Sequence, residues 1–433
     1  MTPYEVCALV CPCRTGRKVM AIKLTRRSFI AATGASSLAL AVPALAQSRE
    51  LIIISNRSNP KQREALETIA ANFGRAAGVK VAVNNMDHEA HKTAIRNYLV
   101  ASPPDICFWY SGERMRSFVE KGLFADITDL VEQEGWAKVV PSMSAVTVKG
   151  RQYGLPTAGI LWGLFYRQDM FDEAGLTPPK TFDDFFTLGE KAKAAGIVPV
   201  SMGIKNMWPA GGWFDHMNLR INGLEFHQAL MNGEVAYTDQ KVANVMSKWS
   251  DLIDAGLFTP NATSYAWEQA ASAMVQKRAA MLDLGSFVKQ VTPAEDIDQI
   301  RFQLFPTIDP SIGRYEDFSV DSIHIPSGAP NPEVAREFLT YFYQPDNLAT
   351  YIKPDGNPPA RIDVDLNDDP IIAMAINEMK TVEGTSQYYD RDTNPDVAQA
   401  GMKGFQEFMV YPDRADSILG QIEKARERAY GAL

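Results

Sequence analysis

The chain has 433 residues, of which 46% are hydrophobic and 22% charged, and its 43 basic and 52 acidic side chains give a formal net charge of −9. This composition is that of an ordinary globular protein and excludes a disordered, collagen-like or coiled-coil chain. The acidic excess argues against a broad nucleic-acid surface, which requires a clustered positive field. No stretch of 18 uninterrupted apolar residues occurs, so no segment is predicted to span a membrane.

Residues 1–46 have the pattern of an export signal. Arg26 and Arg27 precede a weakly polar run that ends at the cleavage site Ala44-Leu45-Ala46. The adjacent arginines predict a twin-arginine signal, whose receptor exports folded proteins, and therefore a protein of the periplasm. A leader of ordinary length would begin at Met20, so residues 1–19 are predicted to be upstream sequence.

The remaining 387 residues are more acidic than the whole chain, with 37 basic and 51 acidic side chains and a net charge of −14. They keep a single cysteine, Cys107, which excludes an internal disulfide. Because Cys107 lies in an apolar run, we expect a buried and inert thiol.

Strands alternate with helices along this part of the chain. Strands are predicted at residues 51–55, 79–83, 105–110, 197–202, 279–284 and 301–305. Helices are predicted to begin near Asn59, Asp87, Thr181 and Asn331, and the last hundred residues are predicted to be mostly helical. This alternation predicts an α/β fold with a mainly parallel sheet.

Six stretches together resemble a known family. They are PDICFWYSGERMRSFVEKGLFADITDL, YGLPTAGILWGLFYRQDMFDEAGLTPPKTFDDF, GGWFDHMNLRING, KRAAMLDLGSF, VDSIHIPSGAPNPEVAREFLTYF and GNPPAR. The chain resembles the extracellular solute-binding proteins of ABC importers, in the sugar-binding group that includes maltose-binding protein. The resemblance implies a periplasmic-binding-protein fold, in which two α/β lobes are joined by a hinge and enclose the ligand in a cleft. Residues 47–156 and about 302–345 would form the N-terminal lobe, and residues 157–301 and about 346–433 the C-terminal lobe.

The same resemblance implies a receptor without catalytic activity. It would bind a mono- or oligosaccharide, or a related glycoside, and deliver it to permease subunits in the inner membrane. We expect a monomer with no cofactor, metal or nucleic-acid partner, and residues 87–91 (DHEAH) lack the HExxH spacing of a zinc site. Two alternatives stay open: a secreted carbohydrate-active enzyme, whose paired carboxylates can be invisible in sequence, and a binding protein for a non-sugar or anionic solute.

Sugar sites combine aromatic rings, which cover C–H patches, with planar polar groups, which pair with adjacent hydroxyls. Five tryptophans lie at predicted strand ends or in loops, namely Trp109, Trp162, Trp208, Trp213 and Trp267. We expect at least two of Trp109, Trp162, Trp213 and Trp267 to line the cleft. Trp136 and Trp249 lie in helical patterns, which favours packing.

The polar candidates come from strand ends, glycine-rich segments and the resemblance. They are Asn56, Ser58, His88, Ser111, Glu113, Asp215, Gly285, Asp321, Asn357 and Arg361. Ser111 and Glu113 follow a strand at its carboxyl end, where open α/β sheets bind ligands, and the glycines before Asp215 predict a loop close to the ligand. Arg361 could hold an acidic group bidentately, but the negative net charge favours a neutral sugar.

Overall fold

The computed structural model describes residues 49–433, so the predicted export signal and Met20 lie outside the described residues. The strands are β1 (Glu50–Ser55), β2 (Lys80–Asn85), β3 (Ile106–Tyr110), β4 (Thr147–Val148), β5 (Arg151–Gln152), β6 (Leu155–Arg167), β7 (Val198–Ser201), β8 (Ala279–Gly285), β9 (Ile300–Gln303), β10 (Tyr315–His324) and β11 (Gly384–Ser386). The helices are α1 (Pro60–Ala77), α2 (His88–Ala101), α3 (Glu113–Val119), α4 (Thr128–Glu134), α5 (Gln168–Ala174), α6 (Asp184–Ala194), α7 (Trp208–Met231), α8 (Gln240–Asp254), α9 (Trp267–Val275), α10 (Pro332–Phe342), α11 (Pro345–Ile352), α12 (Pro370–Met379), α13 (Tyr389–Asp392), α14 (Pro395–Phe408) and α15 (Ala415–Tyr430). Within residues 49–433, no helix has the length and apolarity that a membrane span requires.

One sheet runs through the described chain in the order β2-β1-β3-β10-β6-β8-β7. The outer pairs β1–β2, β1–β3 and β7–β8 are parallel, as the strand–helix alternation predicts. The central strands β6 and β10 are antiparallel to each other and to their neighbours β3 and β8. The sheet is therefore mixed rather than mainly parallel, because two long strands cross its centre in opposite directions.

Two hydrophobic cores lie on either side of these central strands. The first core draws on residues 51–158 and 323–372, and the second on residues 160–305 and 371–425. We call the two parts the first and the second lobe. Since β6 contributes Leu155 to the first core and Leu164 to the second, it passes from one lobe to the other.

The chain passes between the two cores at two positions that lie later in the sequence than the predicted lobe boundaries. Phe302 and Phe305 pack in the second core, because β9 pairs with the distal half of β6. Tyr351 packs in the first core, where its ring stacks on Phe108 at a centroid distance of 5.3 Å. The predicted boundaries near 302 and 346 therefore differ from the core boundaries near 320 and 370.

Two helix starts set the first lobe's side of the cleft. The Asn59 side chain accepts from Lys61 N and caps α1, and the Asp87 carboxylate accepts from Glu89 N and Ala90 N and caps α2. Both helices therefore begin directly after the carboxyl end of a neighbouring strand. This arrangement presents residues 56–58 and His88 at one edge of the sheet.

The glycine-rich segment before Asp215 is helical and not a loop. It forms the start of α7, which continues to Met231 with an interruption at Gly223, where φ is 79°. The glycines allow two aromatic residues to approach the helix: a Cβ at Gly212 would lie 2.8 Å from Tyr388 Oη, and one at Gly211 would lie 3.3 Å from Tyr389 Cβ. Small residues are needed here for packing.

Candidate functional site

A cleft with about 730 Å³ of open space lies where the two lobes meet. The first lobe contributes Asn56, Arg57, Ser58, Gln62, His88, Lys92, Tyr110, Asp355 and Asn357. The central strands contribute Ile160, Trp162 and Asp321, and the second lobe contributes Trp208, Trp267, Glu268, Phe287, Gln290, Tyr388, Asp390 and Arg391. The cleft thus combines an aromatic wall with a dense set of polar and charged groups.

The aromatic wall is built around Trp162. Its ring centroid lies 4.1 Å from that of Tyr388, 5.8 Å from that of Trp208 and 5.4 Å from that of Phe287. The Trp162 indole donates to Ser319 Oγ at 3.0 Å, which fixes the ring plane. Trp267 extends the wall, edge-on to Phe287 at 5.0 Å. Aromatic faces held in this way suit an apolar, C–H-bearing ligand surface.

Asp321 holds two arginines in place. Its Oδ2 lies 3.1 Å from Arg57 Nη1, and its Oδ1 accepts from Arg391 Nη1 at 3.0 Å. Arg57 also donates to Tyr351 Oη at 2.6 Å and lies 3.6 Å from Asp355. Burial opposes the charge on Arg57, but the tyrosine and the two carboxylates around it raise its pKa above the usual range. Both guanidinium groups are therefore already paired with a carboxylate.

A second charge cluster surrounds Asp390. Its Oδ2 lies 3.5 Å from Arg114 and 3.9 Å from Lys92, and its Oδ1 lies 3.9 Å from Arg391. Burial alone would raise the pKa of Asp390, but these cations hold it below its usual range. Burial also disfavours the charged form of Lys92, and it therefore lowers the pKa of that amine. The carboxylate of Asp390 stays ionised because three cations face it.

His88 is a neutral hydrogen-bonding group in this setting. Its Nε2 lies 2.9 Å from Tyr110 Oη, and its backbone N–H donates to Ser58 Oγ at 3.0 Å. Burial, followed by the charges of Lys92 and Arg57, lowers the pKa of His88 well below its usual range. The imidazole can therefore both donate and accept with a ligand hydroxyl.

Two contacts join the lobes across the cleft. Gln290 of the second lobe donates to Asp355 Oδ1 at 2.9 Å, and Ser286 donates to Asn357 Oδ1 at 2.7 Å. Burial raises the pKa of Asp355 to about 6, against the opposing effect of Arg57.

Some buried polar atoms of the cleft have no partner within the described chain. They are Asn56 Oδ1, Gln62 Oε1 and the indole Nε1 of Trp208. Buried polar groups are nearly always hydrogen-bonded, so these atoms are the ones that a bound ligand or ordered water would satisfy. Among residues 49–433, no three His, Cys, Asp or Glu side chains are placed to hold a metal ion.

The structure brings half of the sequence-predicted site residues into the cleft. These are Asn56, Ser58, His88, Trp162, Trp267, Asp321 and Asn357. The other seven lie elsewhere, namely Trp109, Ser111, Glu113, Trp213, Asp215, Gly285 and Arg361.

Strand alternation explains why Trp109 lies outside the cleft. Successive side chains of a strand point to opposite faces, so Tyr110 lines the cleft while Trp109 packs against His91 and Phe118, both at 5.6 Å. Beyond the strand, the Ser111 hydroxyl donates to Val320 O at 2.9 Å, and Glu113 pairs with an arginine one turn along α3.

Three further residues have structural roles in the second lobe. Trp213 is 1% exposed and lies between Phe258 at 4.8 Å and Phe305 at 5.4 Å, because the helix turns it into the core. Asp215 is fully buried and accepts from a backbone N–H at 2.6 Å. A Cβ at Gly285 would lie 2.5 Å from Ile160 Cγ2, so this glycine is required by close packing.

Arg361 also lies outside the cleft. Its guanidinium forms a fork on Asp363, with distances of 2.8 and 2.6 Å, and donates to Tyr343 O at 2.5 Å. It lies over the ring of Tyr343, 5.2 Å from the centroid. The guanidinium is thus paired with a carboxylate outside the cleft, and Arg361 is not placed to hold an acidic ligand there.

Sequence reasoning missed most of the cleft's charged and tyrosine residues. They are Arg57, Lys92, Tyr110, Asp355, Tyr388, Asp390 and Arg391. Arg57 stands between two residues that were predicted, and Lys92 is one helical turn after His88, so both carried a local signal. The run Tyr388–Arg391 had none, because nothing in its neighbourhood predicts that it returns to the cleft.

Comparison with known proteins gives a consistent result. The family model for bacterial extracellular solute-binding proteins matches residues 58–349. An uncharacterized ABC transporter extracellular-binding protein of Pyrococcus horikoshii is 24% identical over 341 residues, 74% of each chain. A probable sugar-binding periplasmic protein of Mesorhizobium japonicum is 26% identical over 287 residues, 64% of this chain and 67% of the relative.

Solved structures share the fold over nearly the whole described chain. The bacterial solute receptor AcbH, described as preferring β-D-galactopyranose, is 28% identical with a TM-score of 0.81, covering 88% of this chain and 100% of that one. A chitin oligosaccharide binding protein at 22% identity has a TM-score of 0.80 over 88% of this chain and 98% of its own, which supports the two-lobe fold. The chain therefore belongs to the family of bacterial extracellular solute-binding proteins.

Proposed function

We propose that this protein is the sugar receptor of an ABC importer. It binds a neutral mono- or short oligosaccharide in the cleft between its lobes and delivers it, as a monomer, to permease subunits in the inner membrane. Export through the twin-arginine pathway to the periplasm is part of the proposal, on the strength of Arg26 and Arg27. The single observation that carries it is the aromatic wall around Trp162 facing planar polar groups.

Sugar chemistry matches both sides of the cleft. The rings of Trp162, Trp208 and Trp267 offer wide apolar faces to the C–H patches of a pyranose. Asn56 and His88 offer planar donors and acceptors for adjacent hydroxyls, and Asn56 Oδ1 has no partner within the described chain. The solute receptor AcbH, to which the chain is similar, is described as preferring β-D-galactopyranose, so D-galactose is the first sugar to test.

The charge balance of the cleft favours a neutral ligand. Three cations line it, Arg57, Lys92 and Arg391, together with four carboxyl groups, Asp321, Asp355, Asp390 and Glu268. Each arginine is committed to a carboxylate at about 3 Å. An anionic ligand would have to displace one of these buried partners, which costs the energy of breaking an existing ion pair.

Two observations support closure of the lobes on the ligand. The Gln290–Asp355 and Ser286–Asn357 hydrogen bonds bridge the cleft, and β6 and β10 connect the lobes as continuous strands that can act as a hinge. Hinge closure is a common mode of ligand enclosure in periplasmic binding proteins.

A thermal-shift panel tests the proposal. It contains D-galactose, chitobiose, xylobiose, raffinose, D-galacturonate and spermidine, each tested on the full mature chain. A sugar that binds and is present at a free concentration of about 100 times its Kd should raise the free energy of unfolding by about 2.7 kcal/mol. Stabilisation by neutral sugars, recovered unchanged after long incubation, supports the proposal. Stabilisation by galacturonate or spermidine alone, or cleavage of an oligosaccharide, contradicts it.

A further inference from the structure

A group of buried ionisable residues lies behind the cleft in the second lobe. Asp215 of α7 is fully buried, and its Oδ2 accepts from the backbone N–H of Tyr389 at 2.6 Å. Tyr389 is flanked by Tyr388, Asp390 and Arg391, which all line the cleft. The four-residue helix α13 has no side-chain cap, so the bond from Asp215 is a direct tie between the interior of the lobe and a wall of the binding site.

A second buried carboxylate accompanies Asp215. Asp317 of β10 is fully buried, and neither of its carboxylate oxygens has a partner within residues 49–433. Asp215 Oδ1 is also buried and without a partner there. Burial raises the pKa of both groups well above the usual range. The charge of Asp215 raises the pKa of Asp317 further, whereas a hydrogen bond from Asp317 favours the ionised form of Asp215 and opposes the rise of its pKa. Neighbouring buried carboxylates of this kind bind a proton between them, because both cannot be charged at once.

The residues around this pair supply no free positive charge. His227 Nε2 lies 3.9 Å from Asp215 Oδ1, and burial lowers the pKa of His227 to about 3, so it is neutral. His216 faces Asp283 at 3.2 Å and Glu316 at 3.8 Å. Arg220 pairs with Glu316 and donates to the carbonyls of Phe305 and Tyr315.

The remaining charged groups near the pair are acidic or phenolic. Asp390 and Asp392 add negative charge near Asp215, and Asp283 and Glu316 add it near Asp317. The hydroxyl of Tyr237 bonds to that of Tyr389 at 2.8 Å, and the Tyr388 hydroxyl donates to Trp208 O at 2.7 Å. A proton is therefore the available means of compensating the second carboxylate.

We propose that Asp215 and Asp317 share one proton and that this proton positions the cleft segment Tyr388–Arg391. With the proton present, Asp317 donates to Asp215, whose other oxygen keeps the N–H of Tyr389. Loss of the proton places two negative charges side by side in the interior, and Asp215 and Asp317 move apart. The tie to Tyr389 is then released, and the cleft loses the arrangement of its far wall at alkaline pH. Both aspartates act as positioning residues, and neither contacts the ligand.

Amide hydrogen exchange without any sugar tests this directly. The full mature chain is compared over about pH 6 to pH 10, the range in which a carboxyl with a strongly raised pKa gives up its proton. After correction for the intrinsic exchange rate, peptides covering residues 384–392 should lose about tenfold or more of their protection at the alkaline end. In the Asp317→Asn variant the neutral amide still donates to Asp215, so protection should be independent of pH. Asp215→Asn should have the same effect and serves if Asp317→Asn does not fold.

Asp283→Asn is the matched control, because Asp283 is a buried carboxylate of the same region that faces His216. It should keep the alkaline loss of protection, displaced to lower pH because one of the negative charges near Asp317 is gone. A wild-type profile without an alkaline loss, an unchanged loss in both neutral variants, or the same flattening in Asp283→Asn would each overturn the proposal.

The ligand arm of the inference rests on the proposed function and uses D-galactose. At about pH 9, Asp317→Asn should bind D-galactose about tenfold more tightly than the wild type, with equal affinity near pH 7, because only the wild type loses the shared proton. Equal affinities at both pH values would overturn the link to binding. Absence of D-galactose binding throughout contradicts the choice of sugar, while the exchange experiment still decides on the shared proton.

Discussion

Asp321→Asn removes the carboxylate that holds both cleft arginines. Its two oxygens lie 3.1 and 3.0 Å from Arg57 and Arg391, and the three side chains are at most 10% exposed. Removing one partner of a buried ion pair costs about 3–5 kcal/mol, because the other charge stays buried without compensation. Asparagine keeps the shape and one acceptor oxygen, so we expect a loss of about 3 kcal/mol in the free energy of unfolding, at the lower end of that range.

The same substitution changes the charge balance of the cleft. Arg57 and Arg391 keep their charges while the Asp321 carboxylate is gone, so the net charge of the lining becomes more positive by one. D-Galactose should bind more weakly, because both guanidinium groups lose the acceptor that orients them. D-Galacturonate carries a carboxylate that can pair with a guanidinium, so the ratio of galacturonate to galactose affinity should rise about tenfold or more, which corresponds to about 1.4 kcal/mol.

Asp363→Asn is the control, because Asp363 also receives an arginine fork but lies outside the cleft with its side chain 37% exposed. Water reaches the partly exposed Asp363 end of this pair, so this variant should lose less stability than Asp321→Asn and keep its ligand preference. Urea unfolding followed by tryptophan fluorescence measures the stability, and calorimetric titration measures both affinities. Equal stability losses in the two variants, or an unchanged ratio of affinities in Asp321→Asn, would refute the assigned role of Asp321.

Three further predictions concern the aromatic wall, a cleft carboxyl and the hinge. Trp267→Ala should weaken sugar binding by about 1–3 kcal/mol at little cost in stability. Trp213→Ala should instead lower the free energy of unfolding by about 3–5 kcal/mol and leave the affinity of the folded protein unchanged. Calorimetric titration measures the affinities and urea unfolding the stabilities, and similar affinity losses in the two variants would contradict this division. Asp355 has its pKa raised by burial to about 6 from 3.8, so its stabilising contribution is complete below about pH 4 and is lost as the pH rises through about 6. Relative to Asp355→Asn, the wild type should therefore lose about 3 kcal/mol over that window, and parallel pH profiles of the two proteins would count against it. Small-angle scattering should give a smaller radius of gyration with saturating sugar, and an unchanged curve would argue against closure.

Local signals in the sequence predicted many elements of the fold. The caps at Asn59 and Asp87, the strands that precede them and the helix at Asn331 depend on neighbouring residues alone, and the structure has them at the predicted places. The burial of Cys107 is confirmed for the same reason, since it follows from an apolar run. The mostly helical last hundred residues agree as well.

Strand β10 was not predicted, although it is central to the sheet. Its sequence includes Glu316, Asp317 and Asp321, which are unusual in a buried strand. They are tolerated because Arg220 pairs with Glu316, Arg57 and Arg391 pair with Asp321, and burial favours the protonated form of Asp317. These partners are distant in sequence, so the local sequence pattern could not predict the strand.

The sequence by itself determined the α/β class, the family resemblance and the part of the cleft next to β1 and α2. Residues 56–58 and His88 follow strand ends directly, and the edge of a parallel sheet brings such ends together. Only the tertiary structure decided that Tyr110 rather than Trp109 faces the ligand and that the segment Tyr388–Arg391 completes the wall. The physical reason is that which face of an element is buried, and which face lines the cleft, depends on what packs against that element. For this cleft, the packing residues lie hundreds of positions away along the chain.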